Sequence, residues 1–214
     1  MDKNTINIIY DRLRETHKNA ECELNYSSPF ELLVAVILSA QCTDKRVNIV
    51  TKKLFSLYNK PEDFASLNVE QLKPLIYSTG FYNNKAKNII KMAQSLQEKY
   101  KGVVPFEIND LIKLEGVGRK TASVVRAVAF NKPAMPVDTH VYRVARRLGL
   151  SKSNSVDGVE KDLKHAFDEN LWSEVHHLML FHGRYICLSR NPKCNICNLV
   201  GNCKYNKKDK KEVL

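Results

Sequence analysis

Apolar residues return at three- and four-residue steps along nearly the whole chain, and this spacing leaves room for one class of fold. Ile6, Ile9 and Leu13 form one stripe and Val47, Val50, Leu54 and Leu57 another; Val141, Val144 and Leu148, and then Val159, Leu163 and Ala166, form two more. Such steps gather side chains on one face of an α-helix, whereas a half-buried strand alternates. The expected fold class is therefore all-α. Residues 29–40, PFELLVAVILSA, are apolar on nearly every face and start with Pro29, which suits a first helical position, so they are expected to form a central buried helix. Gly149, following Arg146, Arg147 and Leu148, marks a helix end with cations in its last turn. Ile76, Gly80, Ala86, Ile89 and Ala93 recur 36 positions later as Ile112, Gly116, Ala122, Val125 and Ala129, which points to two helix-turn-helix hairpins.

The chain carries 34 Lys and Arg against 23 Asp and Glu over 214 residues, for a net charge of +11 and an isoelectric point near 9.3. That excess favours a polyanionic partner, nucleic acid first. No apolar run approaches the roughly 20 residues that a membrane-crossing helix needs. The N-terminus, MDKNTINIIYDRLRE, lacks the apolar segment and cleavage site of a signal peptide, so a cytoplasmic protein without membrane contact is expected. The tail KYNKKDKKEVL has the composition of a frayed, solvated end.

Four of the six cysteines crowd into one pattern, Cys187, Cys194, Cys197 and Cys203, or C-x6-C-x2-C-x5-C. In a reducing compartment such crowding points to a metal, and four thiolates suit either a tetrahedral zinc or a cubane iron-sulfur cluster. Zinc ribbons usually show two CxxC knuckles and only Cys194 to Cys197 has that form, so the spacing leans towards iron-sulfur. Between the first two cysteines, LSRNPK presents Arg190 and Lys193, which a metal-pinned loop would hold as a phosphate clamp. Cys22 and Cys42 stand apart and read as small core residues.

The stretch LEGVGRKTA, residues 114–122, places two glycines and a lysine at the mouth of a greasy helix. Asn109 reads as the cap of a short helix, Gly116 and Gly118 as a turn needing positive φ or close approach, and Arg119 as the start of the next helix. The glycine amides and the first-turn N–H groups would cradle a phosphate. Lys120 sits at the positive end of that helix dipole, an awkward place for an ammonium and a helpful one for a nucleophilic amine. Taken alone, the stretch favours a plain counter-charge over a nucleophile. Asp138, ahead of a periodic helix, reads as an ordinary cap; if it converged with Lys120, the amine and carboxylate would suit attack on a sugar carbon.

Together, LEGVGRKTA, PVDTHVYRV, LLVAVILSAQCTDKRV and the cysteine pattern resemble the helix-hairpin-helix DNA glycosylases, and among them the endonuclease III family with its iron-sulfur cluster. The resemblance runs from about Leu24 to Cys203. It implies two helical lobes flanking a DNA-binding cleft. A six-helix lobe over 23–132 would carry the helix-hairpin-helix at about 109–130; a second lobe, 1–22 with 133–214, would hold a [4Fe-4S] cluster on Cys187, Cys194, Cys197 and Cys203. It further implies excision of oxidised pyrimidines from damaged double-stranded DNA by a monomer, followed by nicking of the abasic strand. Lys120 and Asp138 match the family's catalytic lysine and aspartate. Gly116, Val117, Gly118 and Arg119 would hold the DNA backbone. Gln41 would plug the gap left by a flipped base, and Phe81, where the family often has leucine, would act as a wedge. His140 could reach a phosphate from the same cleft wall. Two rival readings share these motifs: a monofunctional mismatch glycosylase, which would lack a lysine at position 120, and a non-catalytic iron-sulfur module that binds DNA.

Overall fold

A computed structural model describes residues 1–209. Its α-helices, in chain order, are α1 (Lys3–Thr16), α2 (Pro29–Leu38), α3 (Asp44–Leu57), α4 (Pro61–Ser66), α5 (Val69–Ile76), α6 (Tyr82–Tyr100), α7 (Ile108–Leu111), α8 (Arg119–Phe130), α9 (Thr139–Leu148), α10 (Val156–Ala166), α11 (Trp172–Tyr185) and α12 (Lys204–Asp209). Single 3-10 turns lie at Tyr77–Thr79, Glu169–Leu171 and Cys194–Ile196, and no strand occurs among the described residues. The all-α expectation holds, and no described helix is long and apolar enough to cross a membrane. The chain divides into two compact units, Glu23–Lys132 and Met1–Cys22 with Pro133–Leu214.

The unit Glu23–Lys132 is built around α2. Pro29 opens this helix, Ser28 Oγ accepts the Glu31 N–H at 3.2 Å, and every residue from Phe30 to Leu38 is buried. A helix covered on all sides needs neighbours on all sides, and α2 packs on α3, α6 and α8. Truncating one of its fully buried leucines, Leu33→Ala for instance, is expected to cost about 2–5 kcal/mol. In α3 the stripe is buried at Val47, Val50 and Leu54, but Leu57 is 56% exposed because the helix ends there and the chain turns away at Tyr58. The two expected hairpins share their turn chemistry, since Gly80 and Gly116 both have positive φ and Ala86 and Ala122 are both fully buried. They part at the first helix, where Ile76 is buried and Ile112 is 45% exposed.

The second unit joins both ends of the sequence. Ile6, Ile9 and Leu13 of α1 enter one core with Val141, Val144 and Leu148 of α9, Val159 and Leu163 of α10 and Val175, Leu178 and Met179 of α11. Ala166, at the end of its stripe, only packs against the rim of that core. Gly149 ends α9 in a left-handed conformation, φ +81. The tail departs from expectation at its start: Lys204–Asp209 is the helix α12, not a frayed strand of coil, while 210–214 lie outside the described residues. Its position is held by the Tyr205 ring, which lies 4.4 Å from the Arg147 guanidinium, and by the Lys204 stem, which fills the space over Gly149. Cys22 and Cys42 are half-buried rather than core.

Candidate functional site

The glycine-lysine turn is assembled within the unit Glu23–Lys132. Its first helix, α7, is capped by Glu107 and not by Asn109, which lies inside the helix. Glu107 provides no side-chain cap because Arg126 Nη1 holds its carboxylate at 2.8 Å; the backbone closes the turn, with Leu111 N–H donating to Glu107 O at 3.0 Å. Gly116 has φ +77, and a Cβ there would meet Asn88 Cβ at 2.9 Å, so the turn needs glycine twice over. Gly118 is different: φ is −84 and nothing lies within 4 Å of where its Cβ would stand. The protein's own packing does not require a glycine there.

α8 starts at Arg119, as expected, without a side-chain cap, and Ala122 N–H donates to Gly118 O at 2.9 Å. The amides of Lys120 and Thr121 precede that first helical bond and have no acceptor within the helix. Val117 does not belong with these donors. Its side chain is buried and its N–H is already given to Leu114 O at 3.1 Å, so it braces the turn from within. Lys120 is exposed and makes no ion pair or side-chain hydrogen bond among the described residues.

Two further turns in the same unit carry residues in left-handed backbone. Gln41, beyond the end of α2, has φ +54, and Phe81, the residue before α6, has φ +49. Neither is glycine, and a side chain in this region is strained by roughly 1–2 kcal/mol. Both side chains are exposed, Phe81 by 64%, so the phenyl ring is not part of the unit's core. Beneath them lies Lys85, buried to 5% exposure, whose Nζ donates to Leu38 O at 2.8 Å and to Thr79 O at 2.7 Å. Burial pushes its ammonium below the ordinary lysine value, and the nearby Cys42 thiol acts in the opposite direction.

Asp138, His140 and the cysteines belong to the other unit. Asp138 Oδ1 accepts the backbone N–H groups of His140 and Val141 at 2.9 and 2.8 Å, which caps α9 as expected. This leaves Oδ2 uncommitted among the described residues. His140 is half-buried; its Nδ1 lies 3.2 Å from Arg143 Nη2, and its backbone and Cβ press against Gly183 of α11. Arg143 also donates to Gly183 O at 2.8 Å and, through Nε, to Cys187 O at 3.0 Å. Arg147, read from sequence as a helix-end charge, reaches the same loop, with Leu188 O at 2.6 Å, Ser189 O at 3.0 Å and Cys187 Sγ at 3.4 Å. The helix that Asp138 caps is thereby tied to the first cysteine.

All four clustered cysteines line one small pocket, walled also by Leu148, Ile186 and Val200. None is in a disulfide. Among the described residues no three His, Cys, Asp or Glu side chains meet as a site for a metal ion. The donor set nevertheless fits a thiolate-ligated group: four sulfurs, apolar walls, and two nitrogen groups directed at sulfur, from Arg147 and from His182 Nε2, 3.6 Å from Cys197 Sγ. His182 is pushed down to about 4, by burial and then by the His17 ring, whose Nε2 lies 3.2 Å from its Nδ1. Burial pushes the Cys197 thiol up. Arg190 and Lys193 are exposed on the intervening loop.

Within one unit the structure thus gathers the Gln41 and Phe81 turns over Lys85 and sets the Gly116 turn against α6 through Asn88. Within the other it links Asp138, His140 and the cysteine loop through Arg143 and Arg147. Lys120 and Asp138 fall in different units. The residues missed from sequence, Lys85, Arg143, Arg147 and His182, are polar groups on helical faces with nothing in their spacing to set them apart from solvated charges.

Known proteins resemble this chain over nearly its whole length. The profile of the HhH-GPD superfamily base excision DNA repair proteins matches residues 34–169. Endonuclease III of Bacillus subtilis is 49% identical over 211 residues, 98% of this chain and 96% of that protein. Endonuclease III of Escherichia coli K12 is 44% identical over 200 residues, 94% and 95% of the two chains. A solved structure of a trapped endonuclease III-DNA covalent intermediate superimposes with a TM-score of 0.93 at 47% identity, covering 98% of this chain and 99% of that one. With the helical architecture, the glycine turn and nearly full-length similarity in agreement, this chain belongs to the HhH-GPD superfamily of base excision DNA repair proteins.

Proposed function

We propose that the protein is a bifunctional DNA glycosylase and abasic-site lyase that removes oxidised pyrimidines from duplex DNA. The observation that carries this reading is Lys120, an exposed amine one residue inside the uncapped N-terminus of α8, in a chain of this family. The donors at Gly118, Lys120 and Thr121 suit a phosphodiester, and the open space at Gly118 lets a backbone approach that a side chain would block.

An ammonium has no lone pair, so Lys120 Nζ first gives up a proton. It then attacks C1′ of an extruded nucleotide; the C1′–N bond breaks and the base leaves with the electron pair. Opening of the sugar ring gives a Schiff base, which acidifies the 2′ carbon; loss of a 2′ proton expels the 3′ phosphate and cuts the strand. Asp138, held by two amides through one oxygen, offers the other oxygen to the positive charge that develops on the sugar. Gln41 and Phe81 occupy the gap in the duplex, and His140, Arg190 and Lys193 serve as phosphate contacts. Cys187, Cys194, Cys197 and Cys203 would hold a [4Fe-4S] cluster. Such a group supplies a rigid cross-link for the loop bearing Arg190 and Lys193.

Borohydride reduction tests the reading directly. On duplex DNA containing thymine glycol, the unmodified protein is expected to form a covalent adduct, and Lys120→Gln to bind the duplex without forming one. An unmodified protein that binds but is never trapped would be a non-catalytic module or a monofunctional glycosylase.

A further inference from the structure

Lys85 is the one lysine in the unit Glu23–Lys132 that the structure describes as buried, and no carboxylate is among the groups that bond it. Its partners are two main-chain oxygens. Leu38 O closes α2 and Thr79 O closes the 3-10 turn at Tyr77–Thr79, so the ammonium stands where two sets of carbonyl dipoles converge. Each point lies shortly before a non-glycine residue with positive φ, with backbone bonds from Ser39, Ala40 and Gly80 in between. Gln41 follows Leu38 by three positions and Phe81 follows Thr79 by two, and both take positive φ with their side chains exposed. Lys85 itself sits in the first turn of α6, and its N–H donates to Phe81 O at 3.1 Å. Non-glycine residues stay in left-handed backbone only where their surroundings hold them there. The Gln41 turn is held further by the Cys42 N–H, which donates to Ser39 O at 3.0 Å. Lys85 is the side chain bonded to both turns.

We propose that Lys85 is a positioning residue for duplex DNA: its ammonium joins the Gln41 turn to the Phe81 turn, so that the two exposed side chains enter the helix as one fixed pair. The inference rests on the glycosylase reading above and deepens it. Inserting side chains into a base stack costs unstacking energy and gives nothing back unless they arrive already oriented. A cation serves here better than a neutral donor, because it reaches two carbonyls from one nitrogen and each bond is charge-assisted. Removing it leaves two buried oxygens without donors and frees each turn to relax independently. Lys120 is untouched by such a change, because it belongs to a different turn.

The test compares two DNA substrates. One is a duplex with a single abasic site opposite 2-aminopurine, whose fluorescence rises when it loses its stacking neighbours; the other is the abasic strand alone, which has no opposing base. Lys85→Met is expected to lower both the fluorescence rise and the rate of borohydride trapping on the duplex by about tenfold or more, since small misplacements have effects of that size. Trapping on the single strand is expected to persist, and Lys85→Arg to recover part of the duplex signal. In the Lys85→Met background, Gln41→Ala is expected to have much less effect than in the unmodified protein, as coupled residues do. Equal losses on both substrates, or no loss on either, would overturn the proposal. Should Lys85→Met melt below the assay temperature, Lys85→Gln, which keeps a donor for one carbonyl, carries the same comparison. An unmodified protein that is trapped on neither substrate would instead remove the lyase reading, so the two failures are distinct.

Discussion

Gly116 lies so close to Asn88 that a single added carbon would stand 2.9 Å from Asn88 Cβ, whereas the same carbon on Gly118, two residues on, would meet nothing within 4 Å. The first glycine therefore serves the fold and the second is free to serve a ligand. Gly116→Ala combines a forced contact with φ +77 and is expected to destabilise the protein by about 1–3 kcal/mol. Gly118→Ala is expected to leave the melting temperature unchanged and to weaken duplex binding about tenfold, a loss of one good backbone contact. Thermal melts and a salt-controlled binding titration check the pair; equal melting losses in both variants would show that Gly118 is structural as well.

Asp138 combines a cap with a proposed chemical role, and two substitutions separate them. Asn is as good a cap as Asp, so Asp138→Asn should cost well under 1 kcal/mol, while Asp138→Ala loses both amide partners at about 1–2 kcal/mol. Both are expected to lower the glycosylase rate on duplex DNA by about a hundredfold, the scale of a lost charge-stabilising group. Single-turnover kinetics beside chemical denaturation checks this. A fully active Asp138→Asn would reduce the residue to its cap.

Tyr10 supplies a pH signature for the docking of α1. Its hydroxyl donates to Glu174 Oε2 at 2.7 Å, and Arg14 Nε lies 3.1 Å from Glu174 Oε1. Burial, followed by the hydrogen bond to Glu174 and its charge, pushes the phenol from 10.0 up to about 12. A raised value means that the folded chain keeps a proton which the unfolded chain releases. The stabilisation is therefore complete below pH 10.0 and is lost as pH climbs through about 12. The difference in stability between the unmodified protein and Tyr10→Phe should be constant up to the lower value and shrink above it. A difference that grew with pH would show that the phenol is not held by Glu174.

The cysteine loop makes a visible prediction. Protein isolated without air is expected to be brown, with absorbance in the iron-sulfur region and bound iron by metal analysis. Cys197→Ala is expected to be colourless and to melt at lower temperature, because Arg143 and Arg147 anchor α9 to a loop that would no longer be cross-linked. A colourless preparation loaded with zinc would replace the cluster with a single ion.

Much of the fold was legible because its signals are local. Pro29, Asp138 and Gly149 stand where helices begin and end, and the buried stripes follow from three- and four-residue steps. The start of α8 at Arg119 followed from the glycines before it. What sequence did not reveal depends on contacts between distant residues. Asn109 looked like a cap, but the backbone bond from Leu111 to Glu107 starts α7 at Ile108 and puts Glu107 at the cap position. The basic tail looked unfolded because the ring-cation contact of Tyr205 with Arg147 has no sequence signature. Positive φ at Gln41 and Phe81 was invisible because neither residue is glycine or asparagine, and Lys85 was hidden because its partners are backbone oxygens. Val117 was grouped with the phosphate donors on sequence proximity alone, and its amide is spent within the turn.

The pairing of α1 with the far end of the chain sets an order of events during synthesis. Arg12 Nη1 donates to Asn198 O at 2.9 Å and to Asn202 Oδ1 at 2.8 Å, the first of these across 186 residues. At ribosomal speeds of about 5–20 residues per second, α1 waits on the order of ten seconds or more for those partners. Meanwhile the continuous stretch Glu23–Lys132 can emerge and close on itself. Until α9, α10 and α11 emerge, Ile6, Ile9 and Leu13 lack the core partners that cover them and form a greasy stripe on a short amphipathic helix, the kind of segment that holding chaperones bind. A helix translated ahead of all its neighbours thus waits for partners more than a hundred residues away, and nascent chains stalled before Val141 should display it to chaperones and proteases.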